Sequence, residues 1–195
     1  MRTHPIVLFA VGLFRLLTGR FCFPREAVGQ IFVMEDGRDF RVFRRATRRS
    51  HRLSPAGAAF VVRFKPLGMT VEQNIRFSRF PMILMFGFPG FRAKFWTVQD
   101  STGLCQGIYE WDAVADAERY ASSIAVRFMT GRSEPGSVNY RLIDHAKSDC
   151  PPTRGPQASG ASLCFGPGLP TEPETHGRCS SGVTMKEVEA ACPSQ

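Results

Sequence analysis

The period of hydrophobicity switches repeatedly between Pro55 and Asp144, and that succession constrains the fold more than any single motif. Ala59–Lys65 (AFVVRFK) is β-branched and aromatic and predicts a strand. Thr70–Phe80 opens with a Thr70/Gln73 capping box and predicts a helix punctuated by Pro81. Phe91–Val98 predicts a second strand, Gln99–Gly103 a turn, and Leu104–Trp111 a third strand. Asp112 then stands where a helix N-cap belongs, ahead of one apolar stripe made by Val114, Ala117, Ala121, Ile124 and Phe128 up to Gly131. Ser137–Ile143 predicts the fourth strand.

The order βαββαβ is the split-βαβ plan, so an α+β, ferredoxin-like domain over residues 55–145 is expected. Alternation sorts its sheet into two faces. Phe60, Val62, Phe64, Phe91, Ala93, Phe95, Gly107, Tyr109, Trp111, Val138, Tyr140 and Leu142 fall on one face, the one the two helices should cover. The other collects Val61, Arg63, Lys65, Arg92, Lys94, Trp96, Gln106, Ile108, Glu110, Asn139, Arg141 and Ile143. That set is too apolar to face water alone, which calls for another protein surface upon it. If Val98 pairs with Leu104, Arg92 stands opposite Glu110 and Phe95 opposite Gly107.

Residues 1–18 and 19–54 read as extensions. Ile6–Leu17 is apolar nearly all round and too short to span a bilayer, and three readings stay open: a helix docked on protein, an interfacial membrane anchor, and a secretory apolar segment. Asp36-Gly37 suits a two-residue type I′ hairpin turn, which would pair Val33 with Phe40 and Ile31 with Val42 on one apolar face. The arginine-rich run Arg44–Arg52 follows and reads as a linker, solvated or, less in keeping with its composition, a phosphate-binding arm. Of the net charge of +8, residues 1–54 supply +7 (11 Lys+Arg, 4 Asp+Glu), so an anionic partner would meet that segment.

The last 50 residues, 146–195, hold 7 Pro, 6 Gly and 6 Ser with little apolar periodicity, and read as a disordered tail in which only Thr184–Ala191 favours helix. Cys22 and Cys105 stand alone, while Cys150, Cys164, Cys179 and Cys192 lie 13–15 residues apart. No C-x-x-C pair occurs and the four His are scattered, so no metal site is expected and the thiols read as reduced, in a cytoplasmic protein.

Several short motifs then appear in order: Pro89-Gly90-Phe91-Arg92-Ala93-Lys94-Phe95-Trp96, Thr102-Gly103, Gln106-Gly107-Ile108-Tyr109-Glu110-Trp111-Asp112, Ala117-Glu118-Arg119-Tyr120 and Pro135-Gly136-Ser137-Val138. Together with Phe60–Lys65 they resemble the YdhR-type mono-oxygenases of the dimeric α+β barrel superfamily, over about residues 55–144. The resemblance implies a homodimer joined by the helix-free sheet faces, with Arg63, Trp96, Ile108, Glu110 and Arg141 at the interface. It also implies cofactor-independent oxidation of a small electron-rich aromatic or quinol-type substrate, in an apolar pocket with a few polar groups. Asn74 and Tyr109 are the candidate catalytic residues, and Trp111, Tyr140 and Phe95 the candidate substrate contacts.

The asparagine–tryptophan pair of cofactor-free relatives has no match here, since Ser78 stands four residues after Asn74. Haem-using relatives supply a helical His, and residues 55–144 contain none, so no cofactor is expected. No dinucleotide or P-loop motif is present. Glu110 could serve as a general base, although a salt-bridged sheet residue explains it as well. Two other classes compete with the enzyme: a non-catalytic dimeric module that binds an apolar ligand or stabilises a partner, and an RNA-binding βαββαβ domain. The latter needs stacking aromatics where the helix-free face offers Arg63 and Glu110, so nucleic acid is disfavoured. Peripheral membrane contact through Ile6–Leu17 completes the set of expected partners.

Overall fold

The structure, a computed structural model, describes residues 4–34, 36–49 and 55–147. In chain order its elements are α1 (Pro5–Leu17), β1 (Phe21–Cys22), β2 (Ile31–Val33), β3 (Asp39–Arg48), β4 (Ala58–Phe64), α2 (Val71–Phe77), α3 (Arg79–Phe86), β5 (Phe91–Val98), β6 (Cys105–Trp111), α4 (Val114–Ala121), α5 (Ile124–Gly131) and β7 (Asn139–Asp144). The strands form one antiparallel sheet in the order β1-β3-β5-β6-β4-β7, with β2 paired to β3. The run β5-β6-β4-β7 is the ferredoxin-like arrangement expected from the alternating periods.

Both expected helices are broken in the middle, each at serine. Ser78 ends α2 by bonding the Ile75 carbonyl (2.8 Å), and the chain restarts as α3. Pro81 then sits in the first turn of α3, where a missing N–H forfeits no intrahelical bond, so it does not end the helix as expected. Ser122-Ser123 interrupts the second helix between α4 and α5. That break rotates the predicted stripe, so Ala117 is buried while Ile124 and Phe128 are about half exposed and Val126 takes the inward position. Asp112 is not the helix cap; it binds Arg48 through both oxygens (2.8 and 2.9 Å), and Ala113 holds the cap position.

The hairpin register differs from the type I′ expectation by one residue. Val33 lies opposite Asp39 and Phe32 opposite Phe40, and the Met34 N–H reaches the Arg38 carbonyl at 2.8 Å, so three residues connect the arms. One residue of slip exchanges the faces. Phe32, Met34, Phe40 and Val42 are buried, whereas Ile31 and Val33 are exposed.

The arginine-rich run is strand as far as Arg48, correcting the linker reading for that part; residues 50–54 lie outside the described residues. β3 lies along the edge of β5 and is latched at both ends by bidentate pairs, Arg41 with Asp100 (2.6 and 2.7 Å) and Arg48 with Asp112. The Arg41 hydrogen bonds hold Asp100 below the usual carboxylate range.

α1 is docked. Arg15 donates to the carbonyls of Phe86 (2.9 Å) and Phe88 (3.1 Å), satisfying backbone at the end of α3. Gly12 and Gly87 allow the close approach, since a Cβ on Gly12 would overlap the Ile83 carbonyl oxygen and one on Gly87 the Leu8 carbonyl oxygen. No helix of the described residues is long and apolar enough to cross a membrane. The tail from residue 148 lies outside the described residues. Cys22 is disulfide-bonded, contrary to the reduced-thiol expectation, and Cys105 is a free, buried thiol.

Two cores flank the sheet. On the helix side Phe60, Val62, Phe86, Phe91, Tyr109, Trp111 and Tyr120 pack together; on the other, Ala27, Phe32, Met34, Phe40 and Val42 close over Val61, Phe95 and Ile108. The apolar centre of the face expected to await a second subunit is therefore covered by the hairpin of the same chain. Arg63 helps to fasten it, pairing with Asp36 and stacking 5.1 Å above the Phe40 ring. Ile108, expected at a dimer interface, is 1% exposed beneath this cover.

Candidate functional site

β5 and β6 determine the site, and the register between them contains its least expected feature. Phe91 pairs with Trp111, but Ala93 pairs with Glu110, so Arg92 is an extra residue in a β-bulge. A bulge inverts the alternation of everything after it. Phe95 therefore turns into the hairpin-covered core, while Lys94 and Trp96 turn toward the helices. Phe95, expected at the substrate, packs edge-on to Phe32 instead (5.3 Å between centroids), and Trp96 is not on the face assigned to the dimer. Val98 pairs with Cys105 rather than Leu104, which places Phe95 opposite Ile108, not Gly107.

A partly enclosed cavity of about 90 Å3 lies between this helix-side face and α2, α3 and α5. It has room for several waters or one small ring. Its walls are mainly apolar, including Phe43, Phe64, Met85 and Trp96, with Phe128 and Arg132 at the exposed end. The Arg132 guanidinium lies 4.1 Å above the Phe77 ring and 5.7 Å from that of Phe128. A fixed cation there favours a ligand with negative charge or an electron-rich face.

The polar groups inside are few and connected. Asn74, on α2 behind its capping box, donates from Nδ2 to Cys105 Sγ (3.1 Å). Lys94 Nζ lies 2.7 Å from Tyr109 Oη, and Tyr120 Oη lies 3.0 Å from the same oxygen. The ammonium carbon chain threads between aromatics, with Nζ 4.4 Å from the Trp96 centroid and 4.1 Å from that of Tyr109. Gly107 leaves space for Tyr109: a Cβ there would come within 2.7 Å of the ring. Arg44 closes one side through Ser78 Oγ (2.8 Å) and the Ile75 carbonyl (3.1 Å).

Burial sets the protonation of these groups. It pushes the Lys94 amine well below its ordinary value, with the Arg44 charge adding to the effect, so the amine is neutral far more readily than a surface lysine. Burial raises the Tyr109 and Tyr120 phenols and lifts the Cys105 thiol to about 12. The site therefore holds an amine whose charged form is disfavoured, two phenols and a thiol in an aromatic enclosure.

Of the expected site residues, Asn74 and Tyr109 meet at this cavity. Trp111 and Tyr140 do not line it. Trp111 is wholly buried against Phe88, Phe91 and Tyr120, and its Nε1 has no hydrogen-bond partner; Tyr140 is half exposed on the edge strand beside Phe60. Lys94, Cys105 and Tyr120 were not expected. Cys105 and Tyr120 were legible in principle, since each shares a face with a residue already assigned there, whereas nothing in the sequence signals the bulge that turns Lys94 inward. Among the described residues no cluster of His, Cys, Asp and Glu could hold a metal ion.

No family model and no curated protein matches the chain. Solved structures do resemble it. A monooxygenase-like protein from Listeria innocua matches with 12% identity and a TM-score of 0.44, over 56% of this chain and 65% of that one, less than two thirds of its length. A ferredoxin-fold protein related to antibiotic biosynthesis monooxygenases from Listeria monocytogenes matches with 11% identity and a TM-score of 0.45, over 68% of this chain and 86% of that one. A heme-degrading enzyme from Listeria monocytogenes matches with the same identity and TM-score, over 68% and 92%. At such identities the likeness concerns the course of the chain and carries no chemistry.

Proposed function

We propose that the cavity binds a small electron-rich aromatic of the phenol or quinol type, and that the chain oxidises it with molecular oxygen without a resident cofactor. In such a reaction the substrate gives up two hydrogens and gains one oxygen atom, and the second oxygen leaves as water. All four electrons that reduce oxygen come from the substrate. The chain then has to hold the substrate anion out of water, move one proton and leave space for oxygen.

The observation that carries this reading is the convergence of Asn74, Lys94 and Tyr109 in an otherwise apolar enclosure. Lys94 is suited to accept the first proton; the resulting ammonium, with the Tyr109 hydroxyl, would stabilise the phenolate or enolate. Asn74 offers an amide N–H that a ligand could compete for against Cys105. The YdhR-type motifs along residues 55–144 support the same reading.

Oxygen uptake by the purified chain with hydroquinone and other small monocyclic phenols tests it. Asn74→Ala and Tyr109→Phe are expected to lower kcat/KM on the order of a hundredfold while leaving the fold intact. Uptake unchanged by both substitutions overturns the residue roles. Binding that quenches Trp96 fluorescence, with no uptake for any member of the panel, leaves a ligand-binding module.

A further inference from the structure

The geometry points to Lys94 as a nucleophilic amine that condenses with small aromatic aldehydes and ketones in this cavity. This goes beyond the oxidative reading and uses the same enclosure. Three features of the structure support it, none of which concerns oxygen.

The first is position: Nζ lies in the cavity wall, with Trp96 and Tyr109 rings on either side to fix its direction. The second is the absence of a carboxylate. Among the described residues no ion pair includes Lys94, and the Arg44 cation disfavours its ammonium more than Cys105 favours it. A structural buried lysine is ordinarily paired. The third is the hydroxyl chain. Lys94 Nζ and Tyr120 Oη both donate to Tyr109 Oη, and once the amine gives up its proton its lone pair faces a phenol that can return a proton to a leaving oxygen.

The step balances within these groups. The Nζ lone pair adds to the carbonyl carbon, forming C–N as the carbonyl π pair moves to oxygen. That oxygen takes a proton delivered through Tyr109, while the nitrogen loses one to the same hydroxyl. A second proton delivered by the Tyr109 hydroxyl to the carbinol oxygen lets the C–O bond break and water leave as the nitrogen lone pair closes the C=N bond, and the resulting iminium returns its remaining N–H proton to the Tyr109 oxygen. The product is an imine on Lys94 plus one water. A neutral, desolvated lysine is the form such chemistry requires.

The test is reductive trapping on the full chain with benzaldehyde and cyanoborohydride near neutral pH, followed by peptide mass spectrometry. Lys65 and Lys147, both exposed, serve as internal references. The expected result is modification of Lys94 at least tenfold faster than of either reference, its loss in Lys94→Arg, and slowing on the order of a hundredfold in Tyr109→Phe. Labelling of Lys94 no faster than Lys65 and Lys147 in the folded wild-type chain overturns the proposal, and that comparison needs no variant to fold. Oxygen uptake without trapping would defeat the amine and spare the oxidative reading; trapping without uptake would do the reverse.

Discussion

Lys94 is the residue whose environment departs furthest from what its type prefers, and the departure has a thermodynamic sign. Its amine titrates well below 10.5 in the folded chain and near that value when unfolded. Between the two values the unfolded state binds the extra proton, so this group makes stability rise with pH across that window. Cys105 acts oppositely: its thiol moves from 9.0 to about 12, so its contribution falls away as pH rises above about 9. Tyr109 and Tyr120, also raised, add to that alkaline loss. Between about pH 7 and 9 Lys94 is the one of these four groups whose contribution changes. Lys94→Met is therefore expected to be more stable than wild type by about 1–3 kcal/mol at neutral pH, the order of cost for a buried amine with no carboxylate beside it. That advantage should shrink as pH rises toward 10.5. Urea denaturation of both proteins from about pH 6 to 9 measures it; a difference that does not change with pH would mean that Lys94 titrates normally.

At the scale of elements, the arginine-bearing strand and the first helix show how local sequence is reused by tertiary structure. The exposed-looking arginines of β3 are latches: Arg41 and Arg48 bind Asp100 and Asp112, while Arg44 bonds the end of α2. α1 depends on a close crossing with α3 at Gly12 and Gly87. In Gly12→Ala the new methyl meets the Ile83 carbonyl, which is backbone and cannot rotate away, so the helix must shift. A loss of about 1–3 kcal/mol is expected, read as a melting temperature lower by roughly 3–10 °C, with faster proteolysis near Thr18. An unchanged melting temperature would mean that α1 is not held by this crossing.

What could be read in advance follows from where regular alternation persists. β4, β6 and β7 run without interruption, so their two faces, and with them Tyr109, were correctly sorted by period two. Asn74 was found because the Thr70/Gln73 capping box fixes where α2 starts. The inverted faces and the rotated stripe share one kind of cause, a local irregularity in backbone hydrogen bonding that leaves no mark in composition, whereas Trp111 and Tyr140 keep their face and lie beyond the cavity. The Arg92 bulge inverted Lys94, Phe95 and Trp96, the third connecting residue inverted Ile31–Val33, and the serine breaks rotated Ile124 and Phe128. A sequence reading by period is thus dependable up to the first irregularity and systematically inverted after it.

For the whole molecule, the decisive fact is that the apolar centre of the helix-free face is covered by the same chain. A homodimer through the helix-free face is what the resemblance implies, yet Val61, Phe95 and Ile108 are already buried by Phe32, Met34 and Phe40. If a second copy supplied that cover, stability would depend on mass action and the melting temperature would rise with protein concentration. With the hairpin supplying it, the melting temperature is expected to stay constant over about a hundredfold range of concentration. Opening the cover should then be costly in the isolated chain: Phe40→Ser removes a fully buried ring from the second core and leaves a hydroxyl among apolar neighbours. A loss of about 3–5 kcal/mol is expected, or roughly 10 °C or more, together with dye binding to the exposed face. A melting temperature that climbs with concentration in wild type, or a Phe40→Ser chain as stable as its parent, would show that the cover comes from a partner and not from β2 and β3.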